Sequence, residues 1–361
     1  MPAARPGRPI RVLIVDDSIV ARAVLARILA PDRGFDVAGQ AGTAAAAIDI
    51  LKTQAVDIIL LDVNMPGLSG LDALPALIER SGGARVLIVS SDCGTGAAVT
   101  ISALRLGAAD TLLKPSAGAL NGPFAVTLVE TILRIAAAPR PSAPQGDILP
   151  VARQAPFVPV ASQAGVDCVA IGASTGGVHA LASFFAAYPF EALPPILVTQ
   201  HLPAPFMPFF ARQLSEMTGR PTRLATDGAP LTPGIVLLAP GDGHLGLART
   251  RGRVHVKICR RPTSSGCMPS ADTMLASVAE MFGDRGMGVI LSGMGRDGLE
   301  GATRLTEAGG EVVAQDAMSS VVWGMPGAVA KAGIARAILP PAALADHVAA
   351  QAMRPERSAW K

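Results

Sequence analysis

The chain has 361 residues, half of them hydrophobic, with 31 lysines and arginines against 28 acidic residues. This length and apolar content can build a sizeable core, and the usual domain size points to two units. The near balance of charge gives no field for a phosphate backbone, so nucleic acid is excluded as an expected partner.

The first apolar run, residues 12–15, is too short for a signal-peptide core or a membrane span. Cys93, Cys168, Cys259 and Cys267 contain no CxxC pair and make no dense disulfide pattern. The expectation is a soluble cytoplasmic protein in a reducing compartment, with no membrane insertion.

From residue 10 to residue 134, short apolar runs at 12–15, 58–61 and 86–89 alternate with helical stretches, which predicts βα units around a parallel sheet covered on both faces. Residues 135–165 are rich in proline, alanine, serine and glutamine, a composition that reads as a linker. The βα alternation resumes over residues 166–350, with strands expected at 168–171, 196–199, 289–291 and 312–314 and helices near 178–187 and 300–307. Residues 235–238, 244–248 and 253–258 read as antiparallel strands joined by tight turns, an insert in this second α/β unit.

Asp16 and Asp17 follow the first strand and Asp62 the third, which gathers three carboxylates at the C-terminal ends of a parallel sheet, where ligand sites form. Three carboxylates so close repel unless a cation is present, and hard oxygen donors favour magnesium. Lys114, after the run 111–113, adds a positive charge to that pocket. Any one of these acids alone would be read as a helix cap.

In order, the residues Val-Asp-Asp-Ser, Leu-Asp-Val-Asn-Met-Pro-Gly-Leu-Ser-Gly, Val-Ser-Ser and Leu-Lys-Pro resemble the receiver domain of two-component response regulators. The resemblance implies a flavodoxin-like doubly wound sheet in which Asp62 accepts a phosphoryl group from a histidine kinase. It further implies that Asp16, Asp17, Asp62 and the main-chain carbonyl of Asn64 hold magnesium, while Lys114 and Ser90 contact the phosphoryl group. Receivers commonly carry an aromatic switch residue where Thr111 stands, so no ring can swing into the space that Ser90 vacates.

After the strand at 168–171 comes Gly-Ala-Ser-Thr-Gly-Gly and then a helix, a turn that exposes the hydroxyl of Ser174 as a candidate nucleophile. The N–H of Thr175, near the helix N-terminus, is placed to stabilise an oxyanion. A dinucleotide loop is the rival, but Ser174 stands where its second glycine belongs and no acid closes the next strand. Of the five histidines, His201 directly follows a strand and is the leading base, with His244 second. Asp297, in Ser-Gly-Met-Gly-Arg-Asp-Gly after the strand at 289–291, is the candidate orienting acid; its plain alternative is a helix cap. The order Ser, His, Asp differs from the Ser, Asp, His order of α/β-hydrolases.

Together with Gln-His-Leu-Pro, Leu-Ala-Pro-Gly-Asp-Gly-His-Leu and Ala-Gln-Asp followed by Trp-Gly-Met-Pro, these motifs resemble the catalytic domain of the chemotaxis protein-glutamate methylesterase/glutaminase (CheB) family over residues 167–338. The resemblance implies that Ser174, His201 and Asp297 are catalytic, that Met294 supplies a second oxyanion N–H, and that the esterase needs no cofactor. It implies methyl-accepting chemotaxis receptors as substrates, with glutamine deamidation in many members, and a monomer is expected. Where the family usually has arginine before Pro-Ser-Val-Asp, this chain has Met268. A response regulator that binds DNA, or a non-catalytic adaptor, are the alternative functions. The densest basic run, Arg249, Arg251, Arg253, Lys257, Arg260 and Arg261, reads as a solvated hairpin or as a docking surface for glutamate-rich receptor helices.

Overall fold

A computed structural model describes residues 8–30, 33–90, 95–115, 122–137, 165–189 and 194–353. Cys93 and most of the expected linker, residues 138–164, lie outside them.

The first unit alternates strictly: β1 (Ile10–Val15), α1 (Ile19–Ile28), β2 (Phe35–Ala41), α2 (Ala44–Leu51), β3 (Ile58–Leu61), α3 (Gly70–Arg80), β4 (Arg85–Ser90), α4 (Thr95–Arg105), β5 (Asp110–Leu113) and α5 (Pro123–Ala137). The five strands pair in the order β2-β1-β3-β4-β5, all parallel. This is the doubly wound order whose switch point lies between β1 and β3. Along β1, Leu13 and Val15 join one apolar cluster and Val12 and Ile14 another, so both faces are covered and the run carries no polar alternation.

The second unit contains β6 (Cys168–Ala173), α6 (Gly177–Ala187), β7 (Ile196–Gln200), α7 (Met207–Thr218), β8 (Thr222–Leu224), β9 (Val236–Leu238), β10 (His244–Thr250), β11 (Arg253–Cys259), α8 (Ala271–Phe282), β12 (Gly286–Ile290), α9 (Leu299–Glu307), β13 (Glu311–Gln315), α10 (Met325–Lys331), β14 (Ala337–Leu339) and α11 (Pro341–Ala352). Seven strands form one wholly parallel sheet, β14-β13-β12-β6-β7-β9-β8. Val169 and Ile171 of β6 face α6, α7 and α11, while Cys168 and Ala170 face α8.

One expectation needs amending. Residues 236–238 do not belong to the antiparallel insert; β9 runs parallel beside β7, fully buried, and an unbroken apolar triplet suits such a central place. The insert is the β10–β11 hairpin alone, paired from His244 with Cys259 to Thr250 with Arg253. His347 lies in α11, where it bonds Glu311.

Candidate active site

At the C-terminal edge of the first sheet, carboxylate oxygens of Asp16, Asp17 and Asp62 lie within 4.8 Å of one another. Asp16 and Asp62 are buried and Asp17 is exposed. Lys114 Nζ donates to Asp16 Oδ2 at 2.6 Å and to Asp62 Oδ2 at 2.5 Å. Burial pulls the lysine pKa down, but its bonds and attraction to the two carboxylates outweigh that and raise it, so the ammonium stays charged. The Asn64 N–H donates to Asp62 Oδ1 at 3.0 Å, which brings the next residues against the pocket. Ser90 Oγ, at the end of β4, is buried with no partner among the described residues, a cost of about 1–3 kcal/mol unless a ligand oxygen meets it. Hard oxygens, a fixed cation and an orphaned hydroxyl fit magnesium and a phosphoryl group. Thr111, on β5, pairs with Ile88 of β4, and its hydroxyl too is buried with no partner among the described residues.

In the second sheet the strand order β12-β6-β7 sets three loops side by side. Ser174 follows β6, and its N–H donates to Ser292 O, after β12, at 3.0 Å. His201 follows β7, and its N–H donates to Ala173 O at 3.0 Å, so the imidazole and the serine spring from hydrogen-bonded neighbours. Gly176 adopts φ 76°, and a Cβ there would collide with Val321 and Ser292; only glycine allows the turn that presents Ser174. Gly293 lets the loop after β12 close on Ser174 Cβ and Met325.

His201 Nε2 lies 2.9 Å from Asp297 Oδ2. With the proton on Nε2, Nδ1 is left as the free base, so the ring is turned the opposite way from the familiar serine-protease triad. Asp297 is buried and also accepts from Ser270 Oγ at 2.6 Å and Ala271 N–H at 2.6 Å. Burial alone would raise its pKa, but the His201 bond and charge and the Ser270 and Ala271 donors reverse this and hold it below the carboxylate range. Among the described residues the N–H groups of Thr175, next to Ser174 in the chain, and of Met294, next to the Gly293 that closes on Ser174, have no acceptor.

His244, the second candidate base, is buried with both nitrogens engaged: Nε2 lies 2.8 Å from Arg261 O, and Nδ1 accepts from Ser270 N–H at 2.9 Å. It is a strut for the segment that clamps Asp297. Gln200 was unmarked in the sequence apart from its place before His201, yet its Nε2 donates to Ser174 O at 2.8 Å. Ser270 entered the sequence reading only within the stretch that Met268 opens and Cys267 only as an unpaired cysteine, neither with a role in this site; Cys267 Sγ stands within 4.8 Å of ligand atoms of His201 and Asp297. Burial, then the charge of Asp297, pushes its pKa up, so it is a thiol at neutral pH.

The first unit reaches this loop. Thr175 Oγ1 donates to Asp110 Oδ2 at 2.6 Å, Gly176 N–H donates to Ala109 O at 2.8 Å, and His179 Nδ1 lies 2.9 Å from Arg105 O. Helix α4 packs against α6 and α7, and one apolar cluster runs through all three. Burial raises the pKa of Asp110, against bonds from Thr175 and Thr111 and the nearby charges of Arg134 and His201.

Comparison with known proteins agrees with this division of labour. The family model for the CheB methylesterase matches residues 169–348, and that for the response regulator receiver domain matches residues 12–120. The chain is 41% identical over 347 residues to protein-glutamate methylesterase/protein-glutamine glutaminase 2 of Caulobacter vibrioides, covering 95% of this chain and 99% of the relative. It is 37% identical to the corresponding protein of Azospirillum brasilense, over 94% of this chain and 93% of that one. The Thermotoga maritima CheB methylesterase catalytic domain superposes on 52% of this chain and 99% of its own, with a TM-score of 0.50 and 34% identity. The chain belongs to the CheB methylesterase family and carries a response regulator receiver domain ahead of its hydrolase domain.

Proposed function

We propose that this chain removes methyl esters from glutamate side chains of chemoreceptors, deamidates receptor glutamines at the same site, and is switched by phosphorylation of its receiver. In this reading residues 10–134 are the receiver, 135–165 the linker and 166–350 the esterase, acting as a cytoplasmic monomer. The observation that carries it is the His201–Asp297 bond beside Ser174 at the ends of adjacent strands. An adaptor has no use for a buried, ionised acid aligned on an imidazole.

The geometry supports the following course. Ser174 Oγ attacks the ester carbonyl carbon while His201 Nδ1 takes its proton, and Asp297 steadies the imidazolium through Nε2. The carbonyl oxygen, now anionic, accepts from the Thr175 and Met294 N–H groups. The imidazolium returns the proton to the methoxy oxygen, and methanol leaves; from a glutamine, ammonia leaves. Water then attacks the glutamyl ester, giving its proton to Nδ1; the imidazolium returns that proton to Ser174 Oγ as the acyl–oxygen bond breaks, and the glutamic acid leaves and ionises.

Regulation follows from the contacts of Ala109 and Asp110. They tie the oxyanion loop to the receiver and put a carboxylate beside the place where negative charge must develop, which disfavours the transition state. Asp62 would take the phosphoryl group from a histidine kinase, with Ser90 and Lys114 meeting its oxygens. Magnesium, held by Asp16, Asp17, Asp62 and the Asn64 carbonyl, supplies neutralising charge when bound. Strand β5 joins the two ends, with Lys114 following it at one edge and Asp110 opening it at the other, so a shift of the strand reaches the esterase without an aromatic switch.

The test is release of labelled methanol from methylated receptor membranes, with and without a small-molecule phosphodonor and magnesium. Ser174→Ala should lose about a million-fold in kcat, and phosphodonor should raise the wild-type rate. No release from folded protein on a competent substrate would sink the esterase reading. Release indifferent to phosphodonor would sink the regulatory one.

A further inference from the structure

Cys267 has no part in the ester chemistry, yet it completes a donor set. Two groups of metal-competent side chains occur among the described residues; one is the acidic pocket, and the other joins an imidazole, a thiol and a carboxylate from His201, Cys267 and Asp297. All three ligand atoms lie within 4.8 Å of one another. Nitrogen, sulfur and oxygen donors select a borderline-soft ion such as zinc rather than magnesium, and three protein ligands leave a fourth position open.

We propose that the hydrolytic centre doubles as an inhibitory zinc site, in which His201 Nε2, Cys267 Sγ and a carboxylate oxygen of Asp297 hold one ion and disable the base. The fit needs little movement. Ligand nitrogen and oxygen on one tetrahedral zinc stand about 3.3 Å apart, against 2.9 Å between Nε2 and Oδ2. Asp297 is already oriented by Ser270 and Ala271, the kind of outer support that metal-binding carboxylates use. The entrance is open, since the His201 side chain is 17% exposed and Cys267 is half-buried.

Inhibition follows from proton placement. In the proposed mechanism the resting ring donates from Nε2 to Asp297 and keeps Nδ1 free for the serine. Zinc on Nε2 requires that nitrogen's lone pair, so the ring proton moves to Nδ1 and the acceptor for the Ser174 hydroxyl is gone. The thiol proton passes to solvent, and binding therefore releases one proton.

The effect on rate rests on His201 being the base; the metal site does not, and the experiment separates the two. Full-length protein in excess magnesium is titrated with zinc while methanol release is followed, and separately with cobalt(II) while its absorption is recorded. The expected result is loss of activity at about one equivalent of zinc, restored by chelator. Cobalt should give a thiolate charge-transfer band. Cys267→Ser should keep the metal-free rate, need at least about tenfold more zinc and lack the band. In the unmodified chain, zinc should shield Cys267 from alkylation while leaving half-buried Cys259 reactive, a readout that needs no variant. Equal zinc sensitivity of wild type and Cys267→Ser, or no band and no shielding, overturns the proposal. A band and shielding in a protein that hydrolyses no ester would keep the metal site and overturn the hydrolase reading.

Discussion

Asp297 is the most heavily bonded side chain of the site, and its neighbours bear the consequences. Ser270→Ala removes a charge-assisted bond of 2.6 Å, a loss of about 2 kcal/mol. We expect kcat on methylated receptors to fall about tenfold with KM unchanged, and the thermal midpoint to drop; steady-state kinetics and calorimetry check both. Asp272 feels the same carboxylate. Burial, only partly offset by a bond from Gly301 N–H, and then the negative charge of Asp297 push its pKa up to about 6. A folded pKa above the unfolded one means that the native state binds the extra proton. That contribution is complete below about pH 3.9 and is lost as pH rises through about 6. Asp272→Asn should therefore be more stable than wild type at pH 7, by about 1 kcal/mol once partial exposure is allowed for, and equal to it at pH 4. Unfolding melts at the two pH values measure this. Ser174 and His201 were legible as candidates because each directly follows a strand, and Asp297 because it stands, like Ser174, among glycines. Ser270 and Cys267 were not, because a fold brings them in from 27 and 30 residues before Asp297, with no periodicity to mark them.

At the scale of elements, the β10–β11 hairpin is the piece whose charge calls for an explanation. Its arginines and lysine are not equally free. Arg249 donates to Met281 O, Lys257 pairs with Asp227 at 3.7 Å and Arg260 with Asp242 at 3.3 Å. Arg251 and Arg253, exposed at the turn, have no acidic partner among the described residues. They are the pair best placed to steer a glutamate-rich helix. Reversing both charges should lower kcat/KM on receptor membranes about tenfold in low salt and leave it unchanged in high salt; an unchanged low-salt value would remove the docking role. The hairpin's turn and two strands were readable from Thr-Arg-Gly and alternating residues. The parallel placement of β9 was not, since a three-residue apolar strand looks the same in either kind of sheet.

For the whole molecule, the decisive feature is the seam between receiver and esterase. A truncated chain beginning near Gly165 should hydrolyse methyl esters several-fold faster than the full chain without phosphodonor, and phosphodonor should not affect it; equal rates would count against a restraint by the receiver. The two units and the composition of the segment between them could be read from sequence, since hydrophobic period and proline content are local properties. The seam could not, because it joins Asp110 to Thr175 and Ala109 to Gly176 across more than sixty residues. No helix among the described residues is long and apolar enough to cross a membrane. At the seam, Gly176 and His179 bond to carbonyl oxygens of the receiver's main chain rather than to its side chains. Those two bonds depend on the receiver's backbone shape and not on which residues build it. Substitutions can accumulate at Arg105 and Ala109 without dissolving them, and a foreign receiver with the same backbone would still latch. An exchanged receiver would thus keep this latch, but would lose the Asp110 carboxylate and its bond to Thr175 unless an acid stood at the same place.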